Sequence, residues 1–375
     1  MLRYMTAGES HGKGLIAIVD GVPAGLFFEN DCVNKDLLRR MAGYGRGGRM
    51  KIEKDKVEII SGCRKNITIG SPVGMLIYNK DYKIDELPEV KAPRPGHADL
   101  AGVQKYGFND ARDVLERASA RETAARVSAG AVAKAILREF DIKVFSHVTG
   151  VGKIKTRLKK QSYEDIHKIA EKSDLRCADP ETAALMREEI DEAQKNGDTL
   201  GGIFEVVVLG VPAGLGSYAQ WDKRLDAFLS GLVMSIPAVK AVSIGAGIES
   251  ASKKGSKVHD PITYDKKNNC FLRKSNNAGG IEGGISNGLP VVIKGFMKPI
   301  ATLRTPLESV NLGTKEKTSA ATERSDVLAV PACGVVAEAQ VAFGIASAFL
   351  EKFGADSITE ISRNYEAYLK ALKEM

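Results

Sequence analysis

Two of the five histidines in this chain sit in glycine-flanked polar strings, His11 in GESHG (Gly8–Gly12) and His97 in RPGHAD (Arg94–Asp99). Histidine is the side chain best suited to move protons near neutral pH, and a flanking glycine implies a tight turn that exposes the ring. His147, His167 and His259 lie in strand-like, surface-helix and lysine-rich contexts and read as structural or solvated. The second chemical feature is arginine. Arg40, Arg46 and Arg49 crowd around a glycine-rich stretch, where guanidinium forks and a close backbone suit carboxylate or phosphate; the alternative is a mobile solvated loop. The run Arg112–Arg126 loads more arginines around a helix start, where free N–H groups and the helix dipole favour an anion. Some of these are expected only to pair with Glu116 and Glu122. Asp326, two residues after Arg324, reads either as a general base or as an ion-pair partner.

Other motifs fail on context. GYGRGG (Gly43–Gly48) matches G-x-G-x-x-G, but the segment before it is helical in pattern and the one after is charged, the reverse of a dinucleotide site. No G-x-x-x-x-G-K-[ST], H-E-x-x-H or C-x-x-C occurs, so neither a P-loop nor a metal centre is expected. The five scattered cysteines, Cys32, Cys63, Cys177, Cys270 and Cys333, suit a reducing compartment rather than a disulfide framework.

The elements that must position these residues are punctuated by 38 glycines and 13 prolines. Short β-branched runs at Leu15–Val19, Val57–Ile60, Phe204–Leu209 and Val291–Ile293 predict strands. Ser119–Glu122 reads as a capping box, with Ser119 bonding the third helical N–H and Glu122 reaching back. The helix behind it, to about Phe140, has small apolar residues at Ala124, Val127, Ala131 and Val132, which predicts close approach of another backbone. From about 156 to 197 the chain reads as a charged surface helical excursion, with Asp179-Pro180 as a start signal and Gly197 as a stop. Ser275–Gly288 is too glycine-rich to predict regular structure. The octapeptide VDGVPAGL (Val19–Leu26) returns as VLGVPAGL (Val208–Leu215), each copy between a strand-like and a helical run. The expectation is one pseudo-duplicated domain with halves at about 10–150 and 200–350.

The 375 residues are 43% hydrophobic and 27% charged, the mix of a globular protein. Lys and Arg number 54 against 47 Asp and Glu, a net charge of +7 spread along the chain. That surplus fits an anionic small ligand at least as well as nucleic acid, which usually needs a dense basic stripe. Val327–Leu350 is long and apolar, but Pro331, Glu338 and Gln340 interrupt it, so a buried core helix is expected rather than a membrane span. The first twelve residues lack the layout of a signal peptide, and a cytoplasmic protein is expected.

Five strings in order, GESHG, RPGHAD, ASARETA (Ala118–Ala124), NAGGIEGGIS (Asn277–Ser286) and RSDVLAVPA (Arg324–Ala332), resemble the chorismate synthase family and span about Gly8 to Leu350. The resemblance implies an α+β fold in which antiparallel sheets sandwich helices, assembled as a homotetramer. It implies a carbon–oxygen lyase that removes phosphate and a ring hydrogen from 5-enolpyruvylshikimate 3-phosphate by trans-1,4-elimination. Reduced FMN is required although the reaction is redox-neutral, with NADPH entering only indirectly, for flavin reduction by this chain or a separate reductase. By resemblance His11 donates a proton to flavin or substrate, His97 eases phosphate departure and Asp326 manages the proton on the flavin. Arg40 and Arg46 would hold the substrate or NADP. Arg117, Ala118, Ser119, Pro237, Ala238, Gly283, Lys298, Pro299, Ile300, Ala301, Thr302 and Arg324 match the FMN-contacting segments. Two departures stand out: many relatives read GGGRSS where this chain has Asp113–Ser119, and asparagine where it has Pro237. The nearest rival reading is a flavin-dependent oxidoreductase that consumes NAD(P)H stoichiometrically; a basic nucleic-acid-binding protein is a distant one.

Overall fold

The structure, a computed structural model, describes residues 1–47, 54–157, 161–323 and 326–375. Arg49, Gly48 and Arg324, named above, lie outside the described residues. A four-stranded antiparallel sheet runs β1-β2-β4-β3, from β1 (Arg3–Ala7), β2 (Gly14–Asp20), β3 (Val57–Ile59) and β4 (Val73–Tyr78). A five-stranded one runs β8-β9-β7-β5-β6, from β5 (Lys143–Val151), β6 (Ile154–Lys155), β7 (Gly202–Leu209), β8 (Val239–Ile244) and β9 (Val291–Met297). Between them lie α1 (Asn30–Met41), α4 (Thr123–Arg138), α7 (Leu225–Met234) and α8 (Val330–Phe353). Outside this layer are α2 (Asp99–Tyr106), α3 (Arg112–Ala118), α5 (Tyr163–Lys172), α6 (Pro180–Lys195) and α9 (Ile358–Lys373). The architecture is the expected α+β sandwich of helices between antiparallel sheets.

Burial follows strand patterning. In β2, Leu15, Ala17 and Val19 face the helices, while Ile16 and Ile18 are exposed on the outer face. In β7 the run Phe204–Val208 is buried throughout, because α8 covers one face and α5 the other. Helix α8 is, among the described residues, the one helix long and apolar enough to cross a membrane, and 94% of its most apolar window is buried inside the protein. It is a core helix. The expected close approach occurs where α4 crosses it: a Cβ on Gly130 would lie 2.3 Å from the Ala339 Cβ.

The two octapeptide copies adopt one conformation. Gly21 and Gly210 have φ of 79° and 81°, and Gly25 and Gly214 have 87° and 98°. In the first copy the Thr68 hydroxyl donates to Pro23 O (2.6 Å) and accepts from Leu26 N (3.0 Å). In the second the Ser286 hydroxyl donates to Pro212 O (2.6 Å) and accepts from Leu215 N (2.8 Å). Each hydroxyl ends a short hairpin, Cys63–Thr68 or Ile281–Ser286, that precedes a sheet strand.

Three local expectations need correction. Ser119 accepts from Arg121 N (3.3 Å) at the head of a 3-10 turn, Ala120–Glu122, and the Glu122 carboxylate goes to Thr6 and Arg126 rather than back to the cap. Residues 275–288 do contain regular structure, the Ile281–Ser286 hairpin. The excursion keeps its cap, with Asp179 accepting from Thr182 N, yet it is no mere surface feature. Met186 and Ile190 enter the main core, and Glu171 and Arg176 join a buried charge network. An amphipathic helix buries one face, and here that face carries part of the interior's charge as well.

Candidate active site

The loop joining β1 to β2 carries His11. Gly8 (φ 105°) turns it so tightly that a Cβ there would lie 2.2 Å from Gly14 O. The Asn79 amide, at the end of β4, donates to the carbonyls of Glu9, Ser10 and Gly12 at 3.1, 3.3 and 2.7 Å and so fixes the loop. His11 Nδ1 lies 2.9 Å from the buried Glu116 carboxylate on α3, and Ser119 Oγ donates to Ser10 Oγ at 3.2 Å. The expected glycine turn is present.

His97 occupies a turn ahead of α2. Its Nδ1 is 2.5 Å from Asp99 Oδ1 and 3.0 Å from Arg94 Nη2. Two lone pairs cannot meet at that first distance, so the proton lies between ring and carboxylate and Nε2 remains for chemistry. Asp99 is fully buried. Burial pushes its carboxyl up, but hydrogen bonds from His97 and Arg94 and their charges hold it well below the usual carboxylate range. Arg94 also donates to Thr302 Oγ1 at 2.9 Å, and Lys298 Nζ donates to Gly96 O at 2.7 Å. The His97 turn is therefore fastened to the Lys298–Thr302 segment, whose Pro299, Ile300 and Ala301 complete the same bend; Thr199 Oγ1 holds Ile300 O at 2.8 Å.

Lys298 N in turn donates to Ala238 O at 2.9 Å. Ala238 has φ of 70°, a left-handed conformation uncommon for a residue other than glycine. Its neighbour Pro237 lines a cavity of about 390 Å³ together with Tyr4, Thr6, Arg117, Ala118, Ser119, Glu122, Arg126 and Ser235. Arg117 donates to Gly8 O (2.9 Å) and Thr6, and its side chain remains 44% exposed toward that cavity. Thus Arg117, Ala118, Ser119 and Pro237 meet at one cavity, with His11 one turn of α3 away and His97 reached through Ala238 and Lys298. Gly283 is set apart, at the tip of the Ile281–Ser286 hairpin, where a Cβ would meet nothing within 4 Å.

The other basic residues are mostly satisfied inside the fold. Arg40 is a helix residue of α1, not a loop one; its Nε donates to Thr123 Oγ1 and its Nη2 to Ala120 O, both at 2.9 Å. Burial lowers it to about 10, Asp55 opposes that shift, and Arg121 and Arg46 add to it, so it stays cationic at neutral pH. Its buried Nη1 makes no hydrogen bond and lies 3.6 Å from Asp55. Arg46 Nη1 pairs with Asp326 at 2.8 Å, and Gly47 N donates to the same carboxylate at 2.6 Å. In this state Asp326 is an ion-pair partner. Of the Arg112–Arg126 group, Arg112 reaches Glu323 and lies 3.5 Å from Glu116, Arg121 reaches Asp55 and Asn79, and Arg126 reaches Glu122. The pairing expected for Glu116 and Glu122 is present. Sequence reading passed over Arg94, Asp99 and Glu116 as partners of the histidines. Arg94 and Asp99 stood in the same RPGHAD string as His97; Glu116 lies 105 residues from His11 and carried no local signal.

The fold is that of a family of lyases acting on a phosphate-bearing small molecule. The family model described as chorismate synthase matches residues 2–350. The chain is 52% identical over 389 residues to the chorismate synthase of Solibacter usitatus (strain Ellin6076), with both chains fully covered. It is 54% identical to that of Thermoanaerobacter pseudethanolicus (strain ATCC 33223 / 39E), covering 99% of each. A crystal structure of chorismate synthase superposes with a TM-score of 0.83 at 42% identity, covering 100% of this chain and 99% of the other. This chain belongs to the chorismate synthase family.

Proposed function

We propose that the chain converts 5-enolpyruvylshikimate 3-phosphate to chorismate in the shikimate pathway with reduced FMN as cofactor. The observation that carries this reading is an arginine-bearing cavity whose wall is tied through Glu116 to His11 and through Ala238 and Lys298 to the His97 turn, each histidine held by a carboxylate. The reaction breaks the carbon–oxygen bond to phosphate and one ring carbon–hydrogen bond and forms a ring double bond. The substrate brings two carboxylates and a phosphate, so fixed cations and fixed proton donors are what the protein must supply. His97, held at Nδ1 by Asp99, offers Nε2 to the departing phosphate. His11 serves as proton donor at the flavin or substrate, and Asp326 takes up the removed proton. Arg40 and Arg46 supply positive charge for the substrate, or NADP.

The donor set fits one part of a flavin mononucleotide. Arg117, Arg126 and Ser119 offer cations and a hydroxyl to its polar groups, and Tyr4, Ala118 and Pro237 form an apolar wall. The family resemblance assigns further FMN contacts to Ala238, Gly283, Lys298–Thr302 and Arg324. Bound reduced FMN supplies electron density as phosphate leaves. NADPH enters through flavin reduction, by this chain or a separate reductase. The enzyme works in the cytoplasm as a homotetramer, a reading supported by the exposed apolar row Met5, Ile16, Ile18 and Ile60 on the outer face of the first sheet. The chain is one domain of two related halves, about 10–150 and 200–350, supported by the matched glycines and hydroxyl clasps.

The test is anaerobic turnover with chemically reduced FMN. Chorismate should form with catalytic flavin and no net NADPH use. His11→Ala and His97→Ala should each cut kcat by about 10²-fold or more while unfolding midpoints stay close to wild type. Stoichiometric NADPH consumption would point to an oxidoreductase, and no product under these conditions would end the assignment.

A further inference from the structure

We propose that Glu116 is a positioning residue for His11, holding its ring by Nδ1 so that Nε2 is the nitrogen presented to the site. The proposal rests on the reading of His11 given above. Both carboxylate oxygens of Glu116 lie on His11: Oε2 accepts from the backbone N at 2.8 Å, and Oε1 and Oε2 lie 2.9 and 3.1 Å from Nδ1. An ionised carboxylate only accepts, so Nδ1 carries the hydrogen and the neutral ring keeps its lone pair on Nε2. The Glu116 backbone carbonyl also accepts from Ser10 N at 2.9 Å, so one residue of α3 grips the loop through main chain and side chain together.

With its side chain 2% exposed, Glu116 has little access to water as a substitute partner. Burial pushes its carboxyl up, but the two His11 hydrogen bonds, the His11 charge and Arg112 hold it below the ordinary glutamate value. It is ionised at neutral pH. The charges facing the pair are Arg112, 3.5 Å from Glu116, and Glu323, which accepts from Arg112 at 2.9 Å. Glu116 therefore sets the orientation and the tautomer of the ring without touching a reacting atom. Asp99 does the same at His97, so the chain builds this device twice.

The experiment measures kcat and KM for Glu116→Gln anaerobically with saturating reduced FMN. The expected result is a fall in kcat of about 10²-fold, with KM within about twofold of wild type. Glu116→Asp, which keeps an accepting carboxylate, should restore part of kcat. A merely structural carboxylate would lower the unfolding midpoint and leave kcat per folded molecule near wild type; that outcome overturns the proposal. Nitrogen-15 NMR of the wild-type, FMN-loaded protein tests it without any variant. The neutral His11 ring should be protonated on Nδ1, and a ring protonated on Nε2 overturns it. Normal turnover in His11→Ala would instead remove the His11 reading, a result distinct from an inert Glu116→Gln beside an impaired His11→Ala.

Discussion

At the scale of single residues, the site is organised by carboxylates that the histidine motifs do not advertise. Asp99 is the clearest case, because it holds His97 and neutralises the buried Arg94 at once. Asp99→Asn should lower stability at pH 7 by about 3 kcal/mol, since it leaves the Arg94 guanidinium without its counter-charge. The pH dependence follows from the direction of the Asp99 shift. A carboxyl held below its unfolded value contributes stability that is fully present above that value, about pH 4, and is lost as pH falls through the folded one. The gap between wild type and Asp99→Asn should therefore be full at pH 6 to 7 and shrink below about pH 4. Urea unfolding at several pH values measures it, and a gap that grows on acidification would contradict the pairing.

At the scale of elements, the helical layer depends on glycine at one crossing. Helices α4 and α8 meet where the Gly130 Cα faces Ala339, leaving no room for a methyl group. Gly130→Ala should destabilise the protein by about 1–3 kcal/mol by forcing the helices apart, even though alanine is the better helix former. Gly231 in α7 supplies the contrast, since a Cβ there meets nothing within 4 Å. Gly231→Ala should be neutral or stabilising by about 0.5–1 kcal/mol. Thermal unfolding of the two variants separates packing from propensity. The run of small residues in α4 was legible as a close-packing surface because small side chains have few other uses at helical spacing. The start of that helix was not, because Glu122 had a better partner in Arg126 and Thr6 than in its own cap.

At the scale of the molecule, the interior is tied together by a polar cluster drawn from five parts of the chain. Glu338 of α8 is buried against Arg39 of α1, at 2.8 and 2.9 Å, and against Lys134 of α4. Ser146 of β5 donates to it at 3.1 Å, and Arg176, beyond α5, lies 3.8 Å away. Burial pushes the Glu338 carboxyl up, and the charges of Lys134, Arg39 and Arg176 hold it well below the usual carboxylate range. Glu338→Gln leaves those cations with one anion fewer, and should cost about 3–5 kcal/mol in urea unfolding. Because the cluster touches none of the proposed site residues, kcat per folded molecule should be unchanged. A loss of kcat without loss of stability would place Glu338 in the chemistry instead.

The sequence by itself determined the strand cores, the core-helix character of Val327–Leu350, the tight turns at His11 and His97, and the family. Each of these is written in local periodicity, in glycine spacing or in short contiguous strings. Only the tertiary structure decided which groups those residues meet. It sent Arg40 inward to Thr123 and Ala120, paired Asp326 with Arg46, set Ala238 in a left-handed turn, and brought Glu116 across 105 residues to His11. The physical reason is that a buried charge must find a partner in space, and nothing in local spacing records which one it finds.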